Sequence, residues 1–114
     1  MQLRPAIALA MGDPAGISPE LTAKVLALGE VRDAARIVAI GDRRVLEAGA
    51  EIAGVTLDVE WRDSFDLPDP YARPIFLDLR NLDPATVARG VAARAGGAHA
   101  LENFRTALAL AAGG

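Results

Sequence analysis

Two rhythms of apolar and polar positions run along this chain. Residues 6–11, Ala-Ile-Ala-Leu-Ala-Met, are continuously apolar and stop at Gly12-Asp13-Pro14. That is the pattern of a strand buried on both faces and closed by a turn. Pro19 stands where a first helical residue would, Ser18 precedes it as an N-cap, and Leu21, Val25 and Leu28 share one face at helical spacing. These features predict a helix from 19 to about 28 with an apolar stripe. Residues 36–41 repeat the first pattern as an apolar, β-branched run ending in Gly41, and Asp42 then opens a segment whose Val45, Leu46 and Ile52 have helical spacing. Gly54 ends this second helix.

Residues 55–61 alternate apolar and polar, the mark of a half-exposed strand at a sheet edge. Three prolines and several aspartates between 63 and 74 predict an irregular connection, because proline lacks a donor and restricts the residue before it. Residues 75–79 form a fourth short strand, and Asp83-Pro84 a turn. From Gly96 onward Leu101, Phe104, Leu108 and Ala112 fall on one face of a helix, with Gly113 and Gly114 as candidate caps. Strands alternating with helices through short connections predict a three-layer α/β/α sheet, helices on both faces and at least some strands parallel. One unit without an internal boundary spans residues 1–114.

Composition narrows the functional classes. With 52% hydrophobic and 24% charged residues the chain can bury a core, and with 4% aromatics that core must rely on small and aliphatic side chains. A net charge of −3 gives no footprint for nucleic acid, which is held by clustered Lys and Arg. The absence of cysteine excludes disulfides and thiolate metal sites. No signal peptide or membrane-spanning run is visible, so the cytoplasm is the expected compartment.

The chemistry concentrates in residues 12–20, Gly-Asp-Pro-Ala-Gly-Ile-Ser-Pro-Glu. In open α/β sheets ligands bind beyond the carboxyl ends of strands, and a glycine-rich strand-to-helix turn lets backbone approach a phosphate. The following helix start offers N–H groups and a positive dipole end. The spacing is neither G-x-G-x-x-G nor a P-loop, however, and Pro14 and Pro19 each remove a donor. On the residues alone, a ligand loop and a tight structural turn both stand. His99, the only histidine, reads as a surface or partly packed residue rather than a metal ligand. Asp42 reads as the cap of the second helix, Trp61 as packing, and Arg43 and Arg44 as a solvated helix face.

Residues 11–20, MGDPAGISPE, are similar to the opening signature MGDPAGIGPE of the 4-hydroxythreonine-4-phosphate dehydrogenase family. Ile40-Gly41-Asp42 looks like that family's second strand end, and the Gly96-Gly97 pair like the entry to a later helix. The resemblance implies an isocitrate/isopropylmalate dehydrogenase-like fold, here incomplete. It also implies an NAD- and divalent-metal-dependent oxidation, with decarboxylation, of 4-phosphooxy-threonine or a similar phosphorylated hydroxy acid on the route to pyridoxal phosphate, in a homodimer. Gly12, Asp13, Gly16 and Ser18 are the implied NAD-binding positions. Catalytic residues and metal ligands are expected outside these 114 residues. Ser18 departs from the family's glycine, which suggests a site that accepts a Cβ or a capping side chain. Val91 and Ala93 stand where the family often has lysine and serine, which leaves the substrate open. Sister activities on phosphorylated four-carbon sugar acids or a cyclic dihydrodiol acid, and a non-catalytic truncated α/β module, are the alternatives.

Overall fold

A computed structural model describes residues 5–12, 16, 18–64, 73–82 and 94–112. Asp13, the turn at 83–84, the middle of the 63–74 connection, positions 91 and 93, and the final glycines lie outside the described residues. Strands are β1 (Ala6–Ala10), β2 (Arg36–Gly41), β3 (Glu60–Arg62) and β4 (Ile75–Asp78); helices are α1 (Ser18–Ala27), α2 (Gly29–Ala34), α3 (Arg43–Ala53) and α4 (Arg94–Ala112). The sheet order is β1-β2-β4-β3 and every pairing is parallel. Parallel pairing brings all four carboxyl ends to one edge of the sheet.

The period-2 geometry of the strands divides the core into two layers. Ile37, Ala39 and Phe76 point to one face, where they pack with Met11, Ala23, Leu26, Val45, Leu46 and Ala50 of the α1 and α3 layer. Ile40 and Leu77 point to the other face, against Ala107 and Leu110 of α4. Helices therefore cover both faces, as predicted. The boundaries of β2 and α3 also agree. Asp42 is the N-cap of α3, and Gly54 closes it with φ of 71°, a left-handed conformation that favours glycine.

Several expectations are corrected. Strand β1 is not buried on both faces: it is at the sheet edge among the described residues, and Ala6 and Ile7 are exposed. Residues 55–59 keep the alternation of burial but make no ladder, so β3 shrinks to three residues at the other edge. Helix α2 was not foreseen; it is short and buries no residue. The apolar stripes of two helices face outward. In α1, Leu21 is exposed, as is Leu28 just past its end, while Pro19, Thr22, Ala23 and Leu26 are buried. In α4, Leu101, Phe104 and Leu108 are each about half exposed, and the inward positions are Gly96, His99, Asn103 and Ala107.

Small residues on the inner face of α1 have a packing reason. A Cβ on Gly49 of α3 would lie 2.5 Å from the Pro19 carbonyl carbon and 2.7 Å from its oxygen, so α1 and α3 touch backbone to helix surface. Gly49→Ala is expected to lower stability by about 1–3 kcal/mol through overpacking against rigid backbone. Gly97→Ala, where a Cβ meets nothing within 4 Å, should be neutral or stabilise by up to about 1 kcal/mol. Denaturant midpoints of the two variants would check this contrast.

Candidate cofactor loop at the carboxyl edge

The loop that follows β1 is held at its entry by three hydrogen bonds. Met11 N–H donates to the Ile40 carbonyl (3.0 Å), extending the β1–β2 pairing by one residue. The Met11 carbonyl accepts from Asn103 Nδ2 (3.0 Å). Gly12 N–H donates to Ser18 Oγ (2.8 Å), which closes the loop across six residues. The hydroxyl that takes the place of the family's glycine thus satisfies the first free backbone donor after the strand. A Cβ at Gly12 would stand 3.2 Å from that same oxygen, so the glycine permits the closure. Gly41 plays a similar part at the end of β2, where a Cβ would fall 2.7 Å from Met11 Sδ.

Gly12, Gly16 and Ser18 therefore sit on one short loop at the carboxyl end of β1, with Gly16 exposed in a turn and Ser18 opening α1. Asp13 lies outside the described residues.

Beside the loop, the ends of β2 and β4 are tied by carboxylates. Asp42, fully buried, accepts from Arg44 N–H (2.9 Å), Arg44 Nε (3.1 Å) and Nη2 (2.9 Å), and from Leu82 N–H (3.0 Å). Burial pushes its pKa up. The hydrogen bonds from the Arg44 side chain, Leu82 and the Arg44 backbone, with the guanidinium charge, together outweigh burial and hold the carboxyl below its ordinary 3.8. Asp78 accepts from Arg43 N–H (3.0 Å) and Arg80 N–H (3.0 Å), and Arg80 takes the left-handed φ of 49°. The two aspartates fix the start of α3 between the strand ends.

On the opposite face, Asn103 and His99 are buried, at 0% and 2% exposure. His99 is buried rather than at the surface, and its ring contacts Asn81 Oδ1 through Nδ1 (2.6 Å) and Asn103 Nδ2 through Nε2 (3.0 Å). Asn81 also donates to Asn103 Oδ1 (2.9 Å) and Glu102 Oε1 (2.6 Å). Neither asparagine was singled out in the sequence. The available signal was the i, i+4 spacing of His99 and Asn103 in an alanine-rich helix.

Trp61 packs edge-on against Phe76 (5.3 Å between ring centroids) and carries Arg43 over its ring at 4.1 Å. It borders a shallow groove of about 440 Å³ lined also by Glu47, Glu51, Val55 and Leu57. That groove lies on the β3 edge, across the sheet from the loop. Among the described residues no three His, Cys, Asp or Glu side chains converge as a metal site. No helix among them is long and apolar enough to cross a membrane.

A pH measurement isolates Asp42. With a folded pKa below the unfolded one, its contribution is complete above the unfolded value and is lost as pH falls through the folded value. Asp42→Ala should cost on the order of 2–4 kcal/mol near neutrality, by removing a cap and stranding a buried N–H. Asp42→Asn should flatten the acid limb of the stability curve below about pH 4. Urea unfolding across that range reads both effects.

Known proteins align with this geometry. A Rhizobium meliloti protein provisionally named 4-hydroxythreonine-4-phosphate dehydrogenase 2 is 64% identical over 113 residues, covering 97% of this chain and 32% of that protein. A Fusobacterium nucleatum protein provisionally named D-threonate 4-phosphate dehydrogenase is 33% identical over 111 residues, 96% of this chain and 33% of its own. The crystal structure of a 4-hydroxythreonine-4-phosphate dehydrogenase from Burkholderia phymatum superposes with a TM-score of 0.82 at 26% identity, over 98% of this chain and 34% of that one. No family model matches the chain. The chain spans about a third of the length of these relatives. The expected isocitrate/isopropylmalate dehydrogenase-like fold holds for the part present. In sequence and in fold, this chain is similar to about one third of the 4-hydroxythreonine-4-phosphate dehydrogenases it aligns with.

Proposed function

We propose that the chain is the N-terminal α/β segment of an NAD- and divalent-metal-dependent dehydrogenase that oxidises and decarboxylates 4-phosphooxy-threonine or a similar phosphorylated hydroxy acid. The observation that carries this reading is the loop of Gly12, Gly16 and Ser18, on the carboxyl edge of a parallel sheet that resembles those dehydrogenases. Ligands of open α/β sheets bind at that edge. Gly12 carries no side chain, and the Ser18 hydroxyl is turned to its N–H, so neither residue puts a bulky side chain at the loop entry. Gly12, Asp13, Gly16 and Ser18 are the proposed NAD-binding positions.

When bound, NAD supplies the hydride acceptor. The residues of this chain bind and orient it: Gly12 and Ser18 hold the loop's two ends together, and α1 presents its positive dipole end toward the same edge. A metal needs several His, Asp or Glu ligands converging on one ion. The described residues do not gather such a set, and the reading assigns the ligands and the catalytic groups to positions beyond residue 114. Work in a homodimer, in the cytoplasm and in pyridoxine biosynthesis belongs to the same proposal.

A second reading has its own support. The relative named for D-threonate 4-phosphate favours phosphorylated four-carbon sugar acids as substrates. Assays of the intact enzyme with both substrate types, with NAD and a divalent cation, separate the two.

The loop is tested by Gly16→Val in the intact enzyme. The variant should raise the KM for NAD about tenfold or more, equivalent to about 1.4 kcal/mol, while the circular dichroism of the fold is kept. Unchanged NAD kinetics would remove the loop from the cofactor site.

A further inference from the structure

The inner face of α4 is built against the usual logic of a packing helix. Three large apolar residues, Leu101, Phe104 and Leu108, point outward while His99 and Asn103 are buried. Burying an amide and an imidazole costs free energy unless their hydrogen bonds are made. A helix that needed only to cover the sheet would place leucines there instead. The polar face specifies position rather than area.

Its hydrogen bonds allow one arrangement of protons. Asn103 Nδ2 lies 3.0 Å from the Met11 carbonyl and 3.0 Å from His99 Nε2. Reversing the amide would set its oxygen against that carbonyl, two acceptors face to face, so both Nδ2 hydrogens donate outward. His99 Nε2 then accepts, and its Nδ1–H donates to Asn81 Oδ1. The two Asn81 Nδ2 hydrogens go to Asn103 Oδ1 and Glu102 Oε1. A closed ring of His99, Asn81 and Asn103 results, with one amide hydrogen left to point at Met11. That hydrogen joins residues 92 apart in sequence, and it meets the last carbonyl before Gly12.

We infer that Asn103 is a positioning residue for the cofactor loop: held by His99 and Asn81, it fixes the Met11 carbonyl and so sets the direction in which the chain leaves the sheet at Gly12. The inference rests on the proposal that this loop binds NAD. With Met11 N–H held by Ile40 and Gly12 N–H by Ser18, Asn103 completes the constraint on the peptide between strand and loop. The loop's entry at Met11 and Gly12 is thereby held before the cofactor arrives, so less of the binding free energy goes into placing it.

Asn103→Asp in the intact enzyme is the sharpest test. It keeps the shape, the acceptor toward Asn81 and, with His99 protonated, the contact to the imidazole, but turns the donor at Met11 into an acceptor. Asn103→Ala removes the contact without adding charge. In either variant amide exchange at Gly12 should speed up while that of residues 43–53 is unchanged. The dissociation constant for NAD should rise about tenfold, with kcat at saturating NAD within about twofold of the parent. Unchanged exchange at Gly12 would overturn the inference. Faster exchange with unchanged NAD affinity would overturn it as well, and Gly16→Val then tells the two failures apart. If Gly16→Val weakens NAD binding, only the role of Asn103 has failed. If it does not, the loop reading has failed and this inference with it. Failure of both Asn103 variants to fold would make Asn103 a core residue with no separate task.

Discussion

At the carboxyl edge of a parallel sheet the chain must leave each strand and turn back, and the backbone groups released there have to be satisfied away from water. Asp42 and Asn103 meet that demand from opposite faces. Asp42 gathers the N–H of Arg44 at the start of α3 and that of Leu82 after β4 onto one buried carboxylate. Asn103 reaches from α4 to the carbonyl of Met11 at the end of β1. The bonds from Leu82 to Asp42 and from Asn103 to Met11 join elements far apart in sequence, so the shape of the edge depends on the whole sheet having formed. The loop that follows Met11 inherits its place from them.

The second strand and the helix after it were readable to their ends because their signals are local. A β-branched apolar run closed by glycine marks β2, and Asp42 with Gly54 brackets α3, since a cap and a left-handed residue answer to their immediate neighbours. Which helix face turns inward is a tertiary fact, and there the pattern misled. Leu21 and Leu28 make the expected apolar stripe, yet the buried positions of α1 are Pro19, Thr22, Ala23 and Leu26, with Pro19 meeting Gly49 of α3 too closely for a Cβ. In α4 the inward face serves hydrogen bonds, so hydrophobic spacing pointed to the wrong side. The edge position of β1 was equally invisible, though that of β3 was not: β1 reads as a central strand from its composition, and its neighbours in space are not encoded within it.

The loop itself was legible as a loop, through Gly12, Pro14, Gly16 and Pro19, and its family likeness could be read directly. Its internal closure could not. A serine in a position that resembles a glycine site suggested a helix cap, whereas Ser18 opens α1 and turns its hydroxyl back to Gly12. The same sequence distance that hides such contacts hides the ring of His99, Asn81 and Asn103. Two of its members lie four apart on one helix, but the third follows β4, and only the folded sheet brings it within reach.

A crystal structure of the intact enzyme soaked with NAD tests the central claim most directly. The account predicts the cofactor against the carboxyl edge of β1, with an oxygen of its phosphates or ribose within about 3.2 Å of backbone or side-chain polar atoms among residues 12–18. Cofactor density elsewhere, with that loop facing only protein or solvent, would contradict it.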